Sequence, residues 1–252
     1  MSALVEVTPY ADGIHELRLA RPPVNALHPE LCTRLRDALS AAVAGGARGI
    51  VLSGGPKVFS AGLDVPYLLT LDAAGLHEAW EAFFLAARAL AASPVPVAAA
   101  LNGHAPAGGC VYALCCDYRV MASGPFTIGL NETQVGLVAP EGIQRLMRRV
   151  VGPHRAERLL VAGEMVDAQR ALEIGLVDEL AAIDEVPLRA REWLRGLLAL
   201  PRKPVLATRA IARADVVASL APELIELDRF VAAWSDPETQ QALRALLAKL
   251  GK

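Results

Sequence analysis

The chain of 252 residues has no marked excess of charge of either sign: 25 Lys and Arg face 27 Asp and Glu, for a net −2. That balance leaves no basic footprint for nucleic acid or for an anionic lipid surface. Cysteine is scarce, and Cys32, Cys110, Cys115 and Cys116 show no pair of C-x-x-C knuckles, which argues against a zinc site. The five histidines are scattered and H-E-x-x-H is missing, so no metal is expected. Also missing are G-x-x-x-x-G-K-[ST], G-x-G-x-x-G and G-x-S-x-G, which removes the common phosphate loops and the serine-nucleophile elbow. The most apolar window, "FFLAARALAASPVPVAAAL" (83–101), is interrupted by Arg88, Pro94 and Pro96 and does not span a bilayer. With no secretory h-region at its start, the sequence leads to the expectation of a reduced, cytoplasmic compartment.

What is present is apolar: 54% of residues are hydrophobic, enough for a substantial core. Alternating runs near Leu4–Thr8 and Gly13–Leu19 flank "PYADG" and predict an N-terminal hairpin. Leu31, Leu35 and Leu39 recur at helical spacing and predict a helix over His28–Ala44. "GIVLSGG" (49–55) and "VPVAAALNG" (95–103) read as buried strands, with a helix from about Asp72 to Ala92 between them. Loop, helix and strand follow over 104–122, and helices dominate from Glu141 onward, interrupted by a short strand near Gly175–Leu180. The class is therefore α/β with a helical C-terminal third, divided at "PRKP" into a core of residues 1–200 and a helical region of 201–252. Apolar faces in those last helices, such as Leu243, Leu246, Leu247 and Leu250, require burial against this subunit or another.

Three features could carry chemistry. "FSAGLD" (59–64) and "HAPAGGC" (104–110) each follow a buried strand and place small residues where backbone must be approached closely. The second runs into a helix, whose first N–H groups are free and backed by the macrodipole. Two such loops could converge as donors to a developing oxyanion, or their glycines could serve only tight strand–helix packing. His104 beside the second loop reads as a loop or core histidine. The third feature is Glu132, a lone acid in "GPFTIGLNETQVGLVAPEG" (124–142), with no Lys or Arg between Arg119 and Arg145. An unpaired carboxylate is costly to bury, so the residue demands a function, or else a helix cap or a distant Arg.

The succession of "RPPVNAL", "VFSAGLD", "NGHAPAGGCVYALCCDYRV" and "FTIGLNETQVGLVAP" resembles the crotonase (enoyl-CoA hydratase/isomerase) superfamily over nearly the whole chain. Within it, "PAGGC", "CDYRV" and "IGLNETQVGLVAP" are similar to mitochondrial-type Δ3,Δ2-enoyl-CoA isomerases. The resemblance implies a crotonase-like spiral of ββα turns with a helical C-terminal trimerisation region, assembling as a homotrimer or dimer of trimers. It implies an acyl-CoA thioester substrate and no cofactor beyond the coenzyme A that the substrate carries. Matched position by position, the oxyanion donors would be the backbone amides of Leu63 and Gly108. Asn25, Ala26, Ala61, Asp64 and Val65 would line the coenzyme A path. Of the two acids that carry hydration in the family, one position holds Val111 here and the other Glu132. A single acid fits a proton shuttle between two carbons, as fatty-acid oxidation requires of an isomerase, better than it fits hydration. Glu141-Gly142-Ile143 stands where isomerases of this type carry bulky aromatics, and Glu141 is expected to sit in the first turn of the next helix.

Overall fold

In the computed structural model, which describes residues 3–249, the alternating N-terminal runs form the antiparallel hairpin β1 (Val5–Pro9) and β2 (Ile14–Leu19). Leu17 and Leu19 turn inward and are fully buried. The Leu31/Leu35/Leu39 stripe forms α1 (Pro29–Ala44), capped by His28, whose Nδ1 accepts from Glu30 N. The chain continues through β3 (Gly49–Ser53), β4 (Lys57–Val58), α2 (Val65–Leu68) and α3 (Ala73–Ala91). Asp72 caps α3 by accepting from Gly75 N at 2.8 Å. Next come β5 (Val97–Leu101), β6 (Gly103–Pro106), α4 (Gly108–Leu114), β7 (Tyr118–Ala122) and β8 (Thr127–Gly129). A single 3₁₀ turn, Glu132–Val135, precedes α5 (Glu141–Val151) and α6 (Pro153–Ala162). The remainder is β9 (Val166–Asp167), α7 (Ala168–Glu173), β10 (Glu179–Ala181), α8 (Val186–Leu198), α9 (Arg202–Ala212), α10 (Ala214–Ser219), α11 (Pro222–Ile225), α12 (Leu227–Trp234) and α13 (Pro237–Lys249).

These strands make two sheets, ordered β1-β2-β3-β5-β7-β10 and β4-β6-β8-β9. β3, β5 and β7 are parallel neighbours in the first sheet, and β4, β6 and β8 in the second. Each turn of the chain thus lays one strand in the large sheet, the next in the small one, and then a helix. That ββα spiral is the expected architecture. Buried on both faces, β3 and β5 read as continuous apolar runs, and every residue of each is buried.

One expected strand is displaced. Gly175, at φ +78°, ends α7, and Leu176 and Val177 plug the core from a turn; pairing with β7 begins only at Glu179. The C-terminal helices are locked to the sheet by charge. Asp117 accepts a bidentate pair from Arg209 of α9 at 2.7 and 2.8 Å and also meets Arg213, while its Oδ2 accepts from Val97 N. Among the described residues no helix is long and apolar enough to cross a membrane. All four cysteines are free and buried, and burial pushes their thiols up, which makes them inert.

Candidate active site

Both small-residue loops reach the same place. The "SAGL" loop is held against residues 24–27 by a closed set of hydrogen bonds. Ala61 N donates to Val24 O at 3.0 Å and Leu27 N to Gly62 O at 2.8 Å. Ser60 Oγ donates to Asn25 O and accepts from Gly62 N. Gly62 bends back at φ +80°, and a Cβ there would lie 3.2 Å from Pro106 O and 3.4 Å from Gly108 N. The first loop is therefore packed directly onto the start of α4. On the other side Ala107 is held at φ +46° with its own N–H on Gly129 O at 2.8 Å. That strained turn opens α4 at Gly108. Among the described residues, neither Leu63 N–H nor Gly108 N–H meets a protein acceptor, whereas the preceding Gly62 N–H and Ala107 N–H do.

Leu63 and Gly108 border a cavity of about 290 Å³. Ala61 and Val65 line it from the first loop, and Val111 from α4. Glu132 enters from the 3₁₀ turn, the one ionisable side chain among the lining residues. The turn that carries it is pinned from three directions. Gln134 Nε2 donates to Gly163 O at 2.8 Å, Thr133 Oγ1 to Leu160 O at 3.3 Å, and Thr239 Oγ1 of α13 to Gly136 O at 2.7 Å. Glu132 Oε2 is shut off from solvent and has no hydrogen-bond partner. Burial pushes its carboxyl up to about 7, opposed by a hydrogen bond from its own backbone N–H. A cap or a distant Arg thus does not account for it. The acid stands in apolar surroundings, in the same cavity as two unengaged amides.

Several expected residues lie elsewhere. Asn25 is buried behind the cavity wall, at φ +49°, with Oδ1 accepting from Arg21 N and Nδ2 donating to Phe59 O. Asp64 caps α2 through Tyr67 N and pairs with Arg21 Nη2 at 2.6 Å. Ala26 O accepts from Arg21 Nη1. None of these three borders the cavity, and the two polar side chains are committed to shaping the loop. Glu141 sits in the first turn of α5 and accepts from Arg145 and Arg148, at 2.9 and 2.7 Å. Those guanidinium contacts hold its carboxyl below the usual range, and it does not border the cavity. His104 is a packing residue, its Nδ1 on Thr127 and its ring edge-on to Phe126.

Sequence reasoning missed the far wall. Trp80, Phe83 and Phe84 of α3 meet Phe230 and Trp234 of α12, with Trp80 edge-on to Phe230 at 4.3 Å between centroids. Leu243 and Leu246 of α13 close the end. The chain has eight Phe and Trp in all, and five of them are gathered here. Where the 141–143 segment lacks aromatics, these helices supply them. The signal available was that concentration in two short stretches.

Comparison with known proteins accords with this geometry. Residues 10–248 match the model of the family described as enoyl-CoA hydratase/isomerase. Enoyl-CoA delta isomerase 1, mitochondrial, of Mus musculus is 34% identical over 242 residues, covering 94% of this chain and 84% of that protein. The crystal structure of human mitochondrial Δ3-Δ2-enoyl-CoA isomerase superposes with a TM-score of 0.93 at 32% identity, covering 98% of both chains. An enoyl-CoA hydratase structure from Mycobacterium ulcerans is also similar, with a TM-score of 0.83 at 26% identity over 92% of this chain and 100% of that one. On the extent of these matches, the chain belongs to the enoyl-CoA hydratase/isomerase family.

Proposed function

We propose that the protein is a Δ3,Δ2-enoyl-CoA isomerase. The observation that carries this reading is the solitary Glu132, in apolar surroundings, in the same cavity as the free amides of Leu63 and Gly108. The α-proton of a thioester is weakly acidic, so the oxygen that becomes an enolate needs donors in place beforehand. In this reading the carbonyl oxygen accepts from Leu63 N–H and Gly108 N–H. Glu132, ionised, takes a proton from C2, and electron density shifts into a dienolate spread from the carbonyl to C4. The same carboxyl then returns a proton to C4, which leaves the double bond at C2, conjugated with the thioester. A carboxyl poised at about 7 both accepts and releases a proton readily. Val111, buried on the cavity wall, offers no second acid to position a water, and the apolar lining keeps stray water from the dienolate.

The coenzyme A path follows Ala61 and Val65, the expected contacts that border the cavity, while Asn25, Ala26 and Asp64 support that loop from behind. No cofactor beyond the substrate's own coenzyme A is required. The same reading includes a place in fatty-acid β-oxidation, a cytoplasmic location and assembly as a trimer or dimer of trimers through the C-terminal helices. Light scattering giving a monomer at micromolar concentration would remove the last of these.

A similarity to hydratases keeps a second reaction testable. A 3-enoyl-CoA should yield rising ultraviolet absorbance of the conjugated thioester. If that signal is absent while a 2-enoyl-CoA loses absorbance quickly, the enzyme is a hydratase and the single-acid argument is wrong.

A further inference from the structure

The turn that carries Glu132 is held between two bodies of the fold. Leu137 N donates to Glu132 O at 3.0 Å and Gly136 N to Thr133 O at 3.2 Å, which closes the turn on itself. On one side stand α6 and the residue after it, with Thr133 Oγ1 on Leu160 O and Gln134 Nε2 on Gly163 O. A Cβ on Gly163 would meet Thr133 Oγ1 at 2.5 Å, so that side is packed without slack. The other side belongs to α13. Gly136, at φ +73°, brings its backbone so near that a Cβ there would lie 2.9 Å from Thr239 Cα. Thr239 is only 2% exposed, and its Oγ1 donates to Gly136 O at 2.7 Å. The next residue, Gln240, ties α13 to α12 by donating from Nε2 to Trp234 O at 2.7 Å. Positions 239, 243 and 246 fall on one face of α13. Leu243 and Leu246 border the cavity, and Thr239 grips the turn. One helix face thus closes the chamber and holds the segment that bears the acid.

We propose that Thr239 is a positioning residue for the reaction: through Gly136 O it fastens the turn of Glu132 to α13, so that the helix that closes the cavity also aims the base. The proposal rests on the reading of Glu132 as that base. Its physical basis is the cost of a buried carbonyl without a donor. If the Thr239 hydroxyl is lost, Gly136 O must find water, and the turn is drawn away from α13 toward solvent. The ties to α6 remain, so the turn persists but its acid is no longer fixed from the cavity side. A displacement on the order of 1 Å is enough to spoil a proton transfer, whereas the apolar walls that bind the ligand keep their places.

Two measurements on the same variants test this. Thr239→Val removes the donor and keeps the bulk of the side chain. With a 3-enoyl-CoA its kcat should fall roughly tenfold to a hundredfold, while calorimetric affinity for a saturated acyl-CoA is retained. The midpoint of the rise of kcat/KM with pH should drop from about 7 toward 4.5, because the loosened carboxyl meets water. Thr239→Ser keeps a hydroxyl and should keep both values near those of the wild type. Arg209→Met loosens the fold at Asp117 instead and should leave the midpoint in place. Should Thr239→Val not fold, Thr239→Ala gives the same readouts. A midpoint unmoved by loss of the hydroxyl, or moved as far by Arg209→Met, overturns the tether. The second measurement needs no turnover. The difference in Tm between Glu132→Gln and its parent should grow with pH in the wild-type background, because the parent's carboxyl is buried. In the Thr239→Val background that growth should largely vanish. Growth kept in full refutes the tether whatever the reaction, and growth lost in a protein without isomerase activity refutes only the isomerase.

Discussion

Replacing Glu132 by Gln should have effects of opposite sign on turnover and on stability. Gln keeps the shape but cannot perform the proton abstraction proposed for Glu132, and loss of a positioned general base typically costs about 10²–10⁴ in rate. Folding responds the other way because burial disfavours the charged form. The carboxyl titrates at about 7 in the folded chain against 4.5 for an ordinary glutamate. Below 4.5 it is protonated whether the chain is folded or not and contributes no pH dependence. Between 4.5 and about 7 the folded state holds the proton that the unfolded state has released, so stability falls as pH rises. Above that the full penalty is present, on the order of 3 kcal/mol. The Glu132→Gln variant has no such penalty. Its amide carries a cost of its own in apolar surroundings, but that cost is the same at every pH. The difference in stability between variant and wild type should therefore grow in favour of the variant from about pH 4 to about pH 8. For a chain of this size it amounts to roughly 2–4 °C in Tm per kcal/mol. Paired thermal unfolding of the two proteins without ligand across that range is the assay, since all other titrations cancel in the difference. A Tm difference that stays constant over the whole range would mean that Glu132 is solvated, and the mechanism would lose its base.

The remaining predictions concern the walls around that residue. In the proposed mechanism the ionised carboxyl is the base, so wild-type kcat/KM should rise with pH through about 7 and then level. Gly62→Ala places a methyl 3.2 Å from Pro106 O at a φ of +80°, so the Leu63 amide must tilt. Turnover should fall by about 10², with acyl-CoA affinity by calorimetry largely retained. Val111→Glu sets a second carboxyl beside Glu132, which should move the pH–rate midpoint upward by like-charge repulsion and make hydration of a 2-enoyl-CoA measurable. Arg209→Met leaves the buried Asp117 to Arg213 alone and should cost about 3 kcal/mol in urea unfolding.

Elements with a clear period were legible from the residues alone. The hairpin, α1 with its Leu31/Leu35/Leu39 stripe, and α3 with Asp72 ahead of it form close to where spacing and capping place them. Glu132 stood out because charge is rare in a long neutral run, and the structure puts that acid on a cavity wall. What stayed hidden depends on partners distant in sequence. Trp80 and Phe83 occupy apolar helical positions that read the same whether they face core or cavity, and only the arrival of Phe230 and Trp234 decides between them. The side chains of Asn25 and Asp64 fold back onto Phe59 O and Arg21, a choice set by tertiary contacts. The segment Gly175–Leu180 carried a strand's composition, but Gly175 turns the chain and pairing begins only at Glu179.

Glu132 and the helices that close its chamber are about a hundred positions apart along the polypeptide, for α12 and α13 supply Phe230, Trp234, Leu243 and Leu246. A ribosome delivers the acid long before it delivers that last wall. Without the wall those helices supply, the carboxyl would meet water and lose the burial that raises it above an ordinary glutamate. On the reading of Glu132 as the base, its basicity is therefore a property of the completed fold, conferred by helices made about a hundred residues later.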